Sequence, residues 1–220
     1  MGGGGFPIDI LLFGMIAAFL VLRLRSILGR RTGFERPRDA TSNVVGLRPT
    51  TPVIEAPAEP ERPARALPAA SSPAGRAIVQ MQQVDRTFDP AHFLTGAEAA
   101  FRMIVTAFAR GDNNALRPLL TAGTYAGFEA VITSRDTAGE TQRSEIRSVE
   151  TVAIEEAGLV GSMASITTRF VSDQISETSD REGKPVAGTD AVTEIVDLWT
   201  FERDLSQQDP AWRLSATRSG

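Results

Sequence analysis

Hydrophobic positions fall along the chain in three rhythms, separated by one stretch that has none. The first rhythm is continuous. Between Phe6 and Leu28, the residues Ile8, Ile10, Leu11, Leu12, Phe13, Met15, Ile16, Phe19, Leu20, Val21 and Leu22 are interrupted mainly by Ala and Gly, with Asp9 near one end and Arg23 and Arg25 at the other. As an α-helix rising about 1.5 Å per residue this segment is roughly 34 Å long, against a hydrocarbon layer of about 30 Å. The pattern predicts a transmembrane helix anchored by Ile10, Leu12, Phe13, Ile16, Phe19, Leu20 and Leu22.

Arg23, Arg25, Arg30 and Arg31 follow the apolar run and form a basic cluster for the membrane surface, where their stems lie along apolar material and their guanidinium groups reach water. A cleaved signal peptide carries its positive charge before the apolar run, the reverse of this order. Excess Arg marks the cytoplasmic side, so the expected topology is a short N-terminus outside and everything after Leu28 inside.

The arrhythmic stretch runs from Phe34 to Gly75. Pro37, Pro49, Pro52, Pro57, Pro60, Pro63, Pro68 and Pro73 recur too often for a helix or a central strand. Few large apolar groups offset the entropy of ordering, so a disordered, partly extended linker is predicted, with a root-mean-square span of roughly 35 to 40 Å. The chain therefore divides into an anchor with its Arg-rich flank (residues 1–33), a Pro/Ala-rich linker (34–75) and a C-terminal domain (76–220).

In the domain the second rhythm is helical. Ile78, Met81, Val84 and Phe88 suggest a short amphipathic helix that Asp89-Pro90 breaks. A longer helix should bury Phe93, Leu94, Ala97, Phe101, Ile104, Val105 and Phe108 and end at Gly111. Asp112 or Asn113 can cap a short helix with Leu116, Leu119 and Leu120, and Thr121 caps one whose stripe is Tyr125, Phe128, Val131 and Ile132.

After Gly139 the third rhythm begins, with a period near 2. One strand holds Ile146, Val152 and Ile154, and Ala157-Gly158 reads as a turn into a second with Ile166, Phe170, Val171 and Ile175. Asp180 to Pro185 reads as a hairpin, followed by strands over 192–204 and 212–217. The expected fold class is α+β, with helices packed on one face of a four-stranded antiparallel sheet.

Side-chain alternation puts Ile195, Asp197, Trp199 and Phe201 on one face of the third strand. Inside a pocket, Asp197 would have a raised pKa and could act as a general base; at the rim it would pair with Arg213 or Arg169, which is the reading preferred. Tyr125, Phe128 and Ile132 join Phe101, Ile104, Val105, Phe108, Trp199 and Phe201 as candidate pocket-lining residues, and core packing is the alternative use for all of them.

Composition narrows the chemistry. The 220 residues include no cysteine and a single histidine, His92, so thiol nucleophiles, Ser-His-acid triads and multi-histidine metal sites lack material. His92 opens a helix and is read as a local capping or packing residue. Net charge is −4 despite the Arg cluster, so the remainder is acidic, which argues against nucleic acid as partner. Neither a metal, a cofactor nor a catalytic residue is assigned.

Taken together, Phe88-Asp89-Pro90-Ala91-His92-Phe93-Leu94-Thr95-Gly96-Ala97, then Phe101-Arg102-Met103-Ile104 through Gly111-Asp112, Leu116-Arg117-Pro118-Leu119-Leu120 with Tyr125 and Phe128, and the closing Asp197-Leu198-Trp199-Thr200-Phe201-Glu202-Arg203 and Trp212-Arg213-Leu214, resemble the Tim44-like domain. The anchor and basic flank are similar to the bacterial, membrane-tethered adaptor branch of that family. The resemblance implies a nuclear-transport-factor-2-like cone, in which helices pack on a curved sheet around an apolar pocket. It also implies a location at the bacterial inner membrane; the mitochondrial member is an import-motor scaffold that recruits a chaperone.

The chain departs from that member before residue 76, so chaperone recruitment does not carry over directly. The function expected is a non-enzymatic adaptor or scaffold whose partners are membrane lipids and proteins at the membrane, chaperone or translocation components among them. A small-molecule-binding or enzymatic cone using Asp197 or Tyr125 is the alternative, and a structural subunit of a membrane complex a third reading.

Overall fold

A computed structural model describes residues 63–220. The anchor, its basic flank and the linker up to residue 62 lie outside the described residues. Nine elements follow in order: β1 (Ala64–Ala66), α1 (Pro73–Val84), α2 (Pro90–Arg110), α3 (Asn113–Leu116), α4 (Ala122–Ala138), β2 (Thr141–Val160), β3 (Met163–Ser179), β4 (Pro185–Asp204) and β5 (Arg213–Ser219).

Each helix begins and ends where the side chains allow it. Ser72 caps α1 by accepting from the Gly75 amide at 3.0 Å, with Pro73 at the first helical position. Asp89 caps α2 by accepting from the Ala91 and His92 amides, again ahead of a proline. Gly111 and Gly139 close α2 and α4 with φ of 68° and 72°, a left-handed conformation that glycine adopts without a Cβ clash.

The sheet has five strands in the order β1-β2-β3-β4-β5, and it is mixed. β2 to β5 pair antiparallel, as expected, but β1 adds a fifth strand parallel to β2, with Arg65 opposite Val152. The expected count of four therefore falls short by a strand drawn from what the hydrophobic pattern assigns to the linker, as does the first turn of α1. Prolines at 63 and 68 bracket β1, and all three of its residues are exposed. What holds it is backbone pairing and Arg65, whose guanidinium donates to Thr95 Oγ1 at 2.8 Å and Glu98 Oε2 at 3.1 Å on α2.

The turn expected at Ala157-Gly158 lies four residues later, at Gly161-Ser162, where Gly161 has φ of 61°. β2 runs straight through Gly158. Its register against β3 shifts three times, between Ile146 and Ser148, Val149 and Thr151, and Ile154 and Glu156. Each bulge inserts an extra residue and resets which side chains point inward, so Ile146, Val149, Val152, Ile154, Ala157 and Leu159 all reach the core although they do not alternate strictly in sequence.

All four helices send buried side chains into one cluster on a single face of the sheet: Ile78 and Met81 from α1, Phe93, Leu94, Phe101 and Ile104 from α2, Leu116 from α3, and Tyr125 and Ile132 from α4. Opposite them lie Val152, Ile154, Ile166, Phe170, Trp199, Phe201 and Leu214. Phe101 stacks on Phe170 with ring centroids 4.4 Å apart and planes 6° from parallel, and Trp199 meets Phe101 edge-on at 4.8 Å. Truncating such a ring removes its apolar area and leaves a cavity. Phe101→Ala is expected to lower unfolding free energy by about 3–5 kcal/mol, read by urea denaturation.

Asp85, after α1, ties the helical layer to the sheet end. Its Oδ1 accepts from the Thr87 amide at 2.9 Å and hydroxyl at 2.6 Å, and its Oδ2 lies 3.1 Å from Arg203 Nη1 on β4. The Thr87 bonds, then Arg203, hold its carboxyl below its usual value against the opposing effect of burial. A carboxyl depressed in the folded state contributes stability above its unfolded pKa and loses it as pH falls through the folded one. Asp85→Asn is therefore expected to melt earlier than wild type at pH 7, with the difference closing as pH drops below about 4 in thermal melts.

Candidate functional site

The bottom of the candidate site is the helix-facing side of β3 and β4. Phe101, Ile104, Ile132 and Phe201 are each at most 1% exposed and Trp199 5%, and they pack on one another and on Phe170 and Phe93. Val105, Phe108 and Phe128 are half-buried against the same cluster, with Phe108 and Phe128 edge to face at 4.9 Å. All nine candidate lining residues, Tyr125 included, thus belong to or pack against one apolar cluster.

Arg135 of α4 closes the cluster on this side. It is buried; its Nη2 donates to the Phe108 carbonyl at 3.0 Å, its Nη1 donates to Gln142 Oε1, and its guanidinium carbon sits 5.4 Å from the Phe108 ring centroid. Burial lowers its pKa, with Asp136 and Glu140 acting the other way. An arginine so lowered still carries its charge at neutral pH, so a cation is fixed beside the Phe108 ring.

Asp197 is 3% exposed, opposite Phe170 in the ladder and on the core side of β4. It is buried instead of lying at the rim; of the two arginines expected beside it, Arg213 bonds to Asp209 at 2.8 Å and Arg169 projects from the other face. Its Oδ2 accepts from Gln174 Nε2 at 3.1 Å, and the same amide nitrogen donates to Ser172 Oγ at 2.9 Å. Ser172 and Gln174, both buried, are polar groups that apolar periodicity does not reveal. The available signal is alternation, because Phe170, Ser172 and Gln174 are successive inward positions of one strand. Thr168 and Trp199, opposite each other in the ladder, add a buried hydroxyl and indole nitrogen to this strip.

Tyr125 is divided between two environments. Its ring is buried in the cluster, while its hydroxyl donates to Glu129 Oε1 at 2.8 Å and accepts from Arg117 Nη2 at 3.1 Å. Arg117 also lies over the ring, 4.4 Å from its centroid. The bond to Glu129 and then burial push the phenol above its usual value, so it stays protonated at neutral pH and cannot serve as a base there. The hydroxyl lines an open cleft of about 520 Å³ with Arg117, Thr121, Glu129 and Arg213. A second open cleft, of about 540 Å³, lies between the β1–α1 connection and Ile154 to Ala157 of β2.

Among the described residues no three His, Asp or Glu side chains converge as a metal site. His92 is exposed in the first turn of α2, its amide bonded to the Asp89 cap. The anchor residues from Ile10 to Leu22 and the basic cluster Arg23, Arg25, Arg30 and Arg31 lie outside the described residues, and no described helix is long and apolar enough to cross a membrane.

The motif residues have structural roles. Phe88 is buried and packs on Trp212 at 5.6 Å and on Phe93 at 6.3 Å; Phe93 in turn meets Trp212 at 4.9 Å. Asp89 and Pro90 then start α2, so Phe88-Asp89-Pro90 joins the helix entry to the segment that leads into the closing strand.

Comparison with solved structures finds the intermembrane space region of the chloroplast protein ARC6, at 11% identity over 60% of this chain and 97% of that one, with a TM-score of 0.44. A putative dehydratase of the NTF2-like family from Streptomyces avermitilis is similar at 14% identity over 60% of this chain and 99% of that one, with a TM-score of 0.35. A ketosteroid isomerase-like protein from Erwinia carotovora atroseptica follows at 17%, over 56% and 92%, with a TM-score of 0.28. No curated protein matches. The family model of the Tim44-like domain matches residues 74–219, from the start of α1 to the end of β5, and the chain belongs to that family.

Proposed function

We propose that this chain is a membrane-tethered adaptor or scaffold without catalytic activity of its own. Its apolar N-terminal stretch would anchor it in a bacterial inner membrane, the Pro/Ala-rich stretch would serve as a leash, and the Tim44-like domain would work on the cytoplasmic side. The observation that carries the reading is the family match over nearly all the described residues. The partners proposed are proteins at the membrane, chaperone or translocation components among them, together with membrane lipid.

Physical support comes from two directions. The Arg-rich flank follows the apolar run, which is the order expected of a segment whose C-terminal side faces the cytoplasm. Confinement beside a membrane raises the effective concentration of a domain toward any complex in that membrane, so modest affinities suffice.

A small-molecule reading rests on the buried polar strip of Thr168, Ser172, Gln174 and Asp197. If the strip is structural, Asp197→Asn, which keeps an acceptor for Gln174, should leave the partners captured by crosslinking unchanged. If it serves a ligand, the variant should lose bound metabolite detectable by mass spectrometry of the purified protein, while its partners persist.

Deleting residues 1–31 is expected to move the protein from the membrane to the soluble fraction and to empty the set of partners captured by crosslinking in membranes. Unchanged fractionation and partners would overturn the tethered reading. The chain has no cysteine, so Val160→Cys, at a position 82% exposed beside the β2–β3 turn, reports topology. The proposed orientation requires that a membrane-impermeant maleimide label it only after the membrane is opened.

A further inference from the structure

The open cleft of about 520 Å³ beside the start of α4 is lined by two arginines and one acid. Arg117, which follows α3, lies over the Tyr125 ring at 4.4 Å from its centroid and donates to the phenol oxygen at 3.1 Å. The phenol donates in turn to Glu129 Oε1 at 2.8 Å. Guanidinium, phenol and carboxylate thus stand in a row. Among the described residues neither Arg117 nor Glu129 belongs to an ion pair.

A guanidinium carries five N–H donors, and the phenol is the one described side chain that accepts from Arg117. Ring contact and hydrogen bond hold the cation in place without neutralising it. Arg213 lines the same cleft from the first residue of β5. Its side chain is 44% exposed and that of its partner Asp209 49%; an exposed pair of this kind is worth little, so it opens readily to another carboxylate. Backbone pairing keeps the two arginines beside one another. The Thr121 amide donates to the Leu214 carbonyl and the Leu214 amide to the Leu119 carbonyl, both at 2.9 Å, which ties the start of β5 to the α3–α4 connection.

We propose that this cleft binds a carboxylate side chain of a partner protein, presented on an extended acidic segment that crosses the surface here. The inference rests on the adaptor reading and gives that reading a site. Three properties of the cleft select the ligand. A planar acid can meet a guanidinium through two parallel hydrogen bonds. A phosphate, with its second negative charge, would be repelled by Glu129 more strongly than a single carboxylate is. The cleft is open, so a small molecule in it would stay largely wet, whereas small-molecule sites bury about 70–90% of their ligand's surface. A segment of chain brings its own cover, and an amide or basic group following the acid suits Glu129.

The test uses the full chain in nanodiscs of neutral phosphatidylcholine, where no anionic lipid competes. The probe is a rhodamine-labelled peptide Gly-Leu-Glu-Glu-Leu-Gly, compared with its counterpart carrying Gln-Gln in place of Glu-Glu. Fluorescence anisotropy is expected to show saturable binding of the acidic peptide, at least tenfold tighter than that of the glutamine peptide. Arg117→Lys keeps the charge and loses the planar fork, so it should weaken the acidic peptide about tenfold. Arg102→Gln, which removes an arginine paired with Glu98 on α2, should leave it unchanged. The chain contains a single tyrosine, Tyr125, so isotope-labelled tyrosine gives one ring signal by NMR, and that signal should move along the same binding curve.

Equal binding of the two peptides, an Arg117→Lys variant that binds as wild type does, or a tyrosine signal that stays in place would each overturn the proposal. So would glutarate or inorganic phosphate binding as tightly as the acidic peptide, the first marking a site for a small acid and the second a site for phosphate. Thermal melts check that Arg117→Lys is folded; if it is not, the comparison of the two peptides on the wild type still decides. None of these measurements touches membrane fractionation, so failure here is distinct from failure of the tethered reading, which deletion of residues 1–31 tests.

Discussion

Phe101 lying flat on Phe170 is the contact on which the rest of the architecture depends. It joins the middle of the longest described helix to the middle of the central strand, and Trp199 closes on it from the next strand. Everything that makes α2 well placed serves this contact: the Asp89 cap and Pro90 at its start, the left-handed Gly111 at its end, and the Phe88–Trp212 pair that fixes its entry. Because so much aromatic surface converges there, the helices are committed to one side of the sheet. The other side is left to be finished by small side chains, by charges, or by something outside the domain.

The helical half is largely legible in the sequence, and the reason is local. Caps and apolar spacing act within a few residues, so Asp89, Pro90, Gly111 and Gly139 state the helix boundaries directly, while Thr121 stands at the N-cap position of α4 without a side-chain bond to the helix amides, its hydroxyl pairing with that of Thr124 instead. The strands are less so. Three bulges in β2 shift its inward side chains away from strict alternation, and Gly158 then resembles a turn although it sits inside the ladder, close enough that a Cβ there would approach Ser165 Oγ at 3.3 Å. β1 carries no signal at all: Ala64, Arg65 and Ala66 are exposed, and their placement comes from an edge of β2 and two side chains on α2 that are distant in sequence.

For the candidate site the outcome divides in the same way. Which residues share a face follows from alternation, so Asp197, Trp199 and Phe201 group correctly with the aromatic residues of α2. What Asp197 binds does not follow, because its partner Gln174 is set by the register between β3 and β4, and a register offset of one residue would present a different neighbour. The Phe88-Asp89-Pro90 motif is recognisable, but its role as the aromatic joint to Trp212 depends on a contact between residues far apart in the chain.

The small strand β1 has a mechanical consequence. Any pull transmitted from residues before Pro63 arrives first at a three-residue ladder on the sheet edge and at the Arg65 guanidinium, not at the aromatic interior. Those few bonds would yield well before the Phe101–Phe170 stack felt the load. Losing them would lengthen the slack in the chain by several residues and leave the globule intact. β1 thus acts as a fuse: the part of the molecule that gives way under tension is the part whose loss costs the fold least.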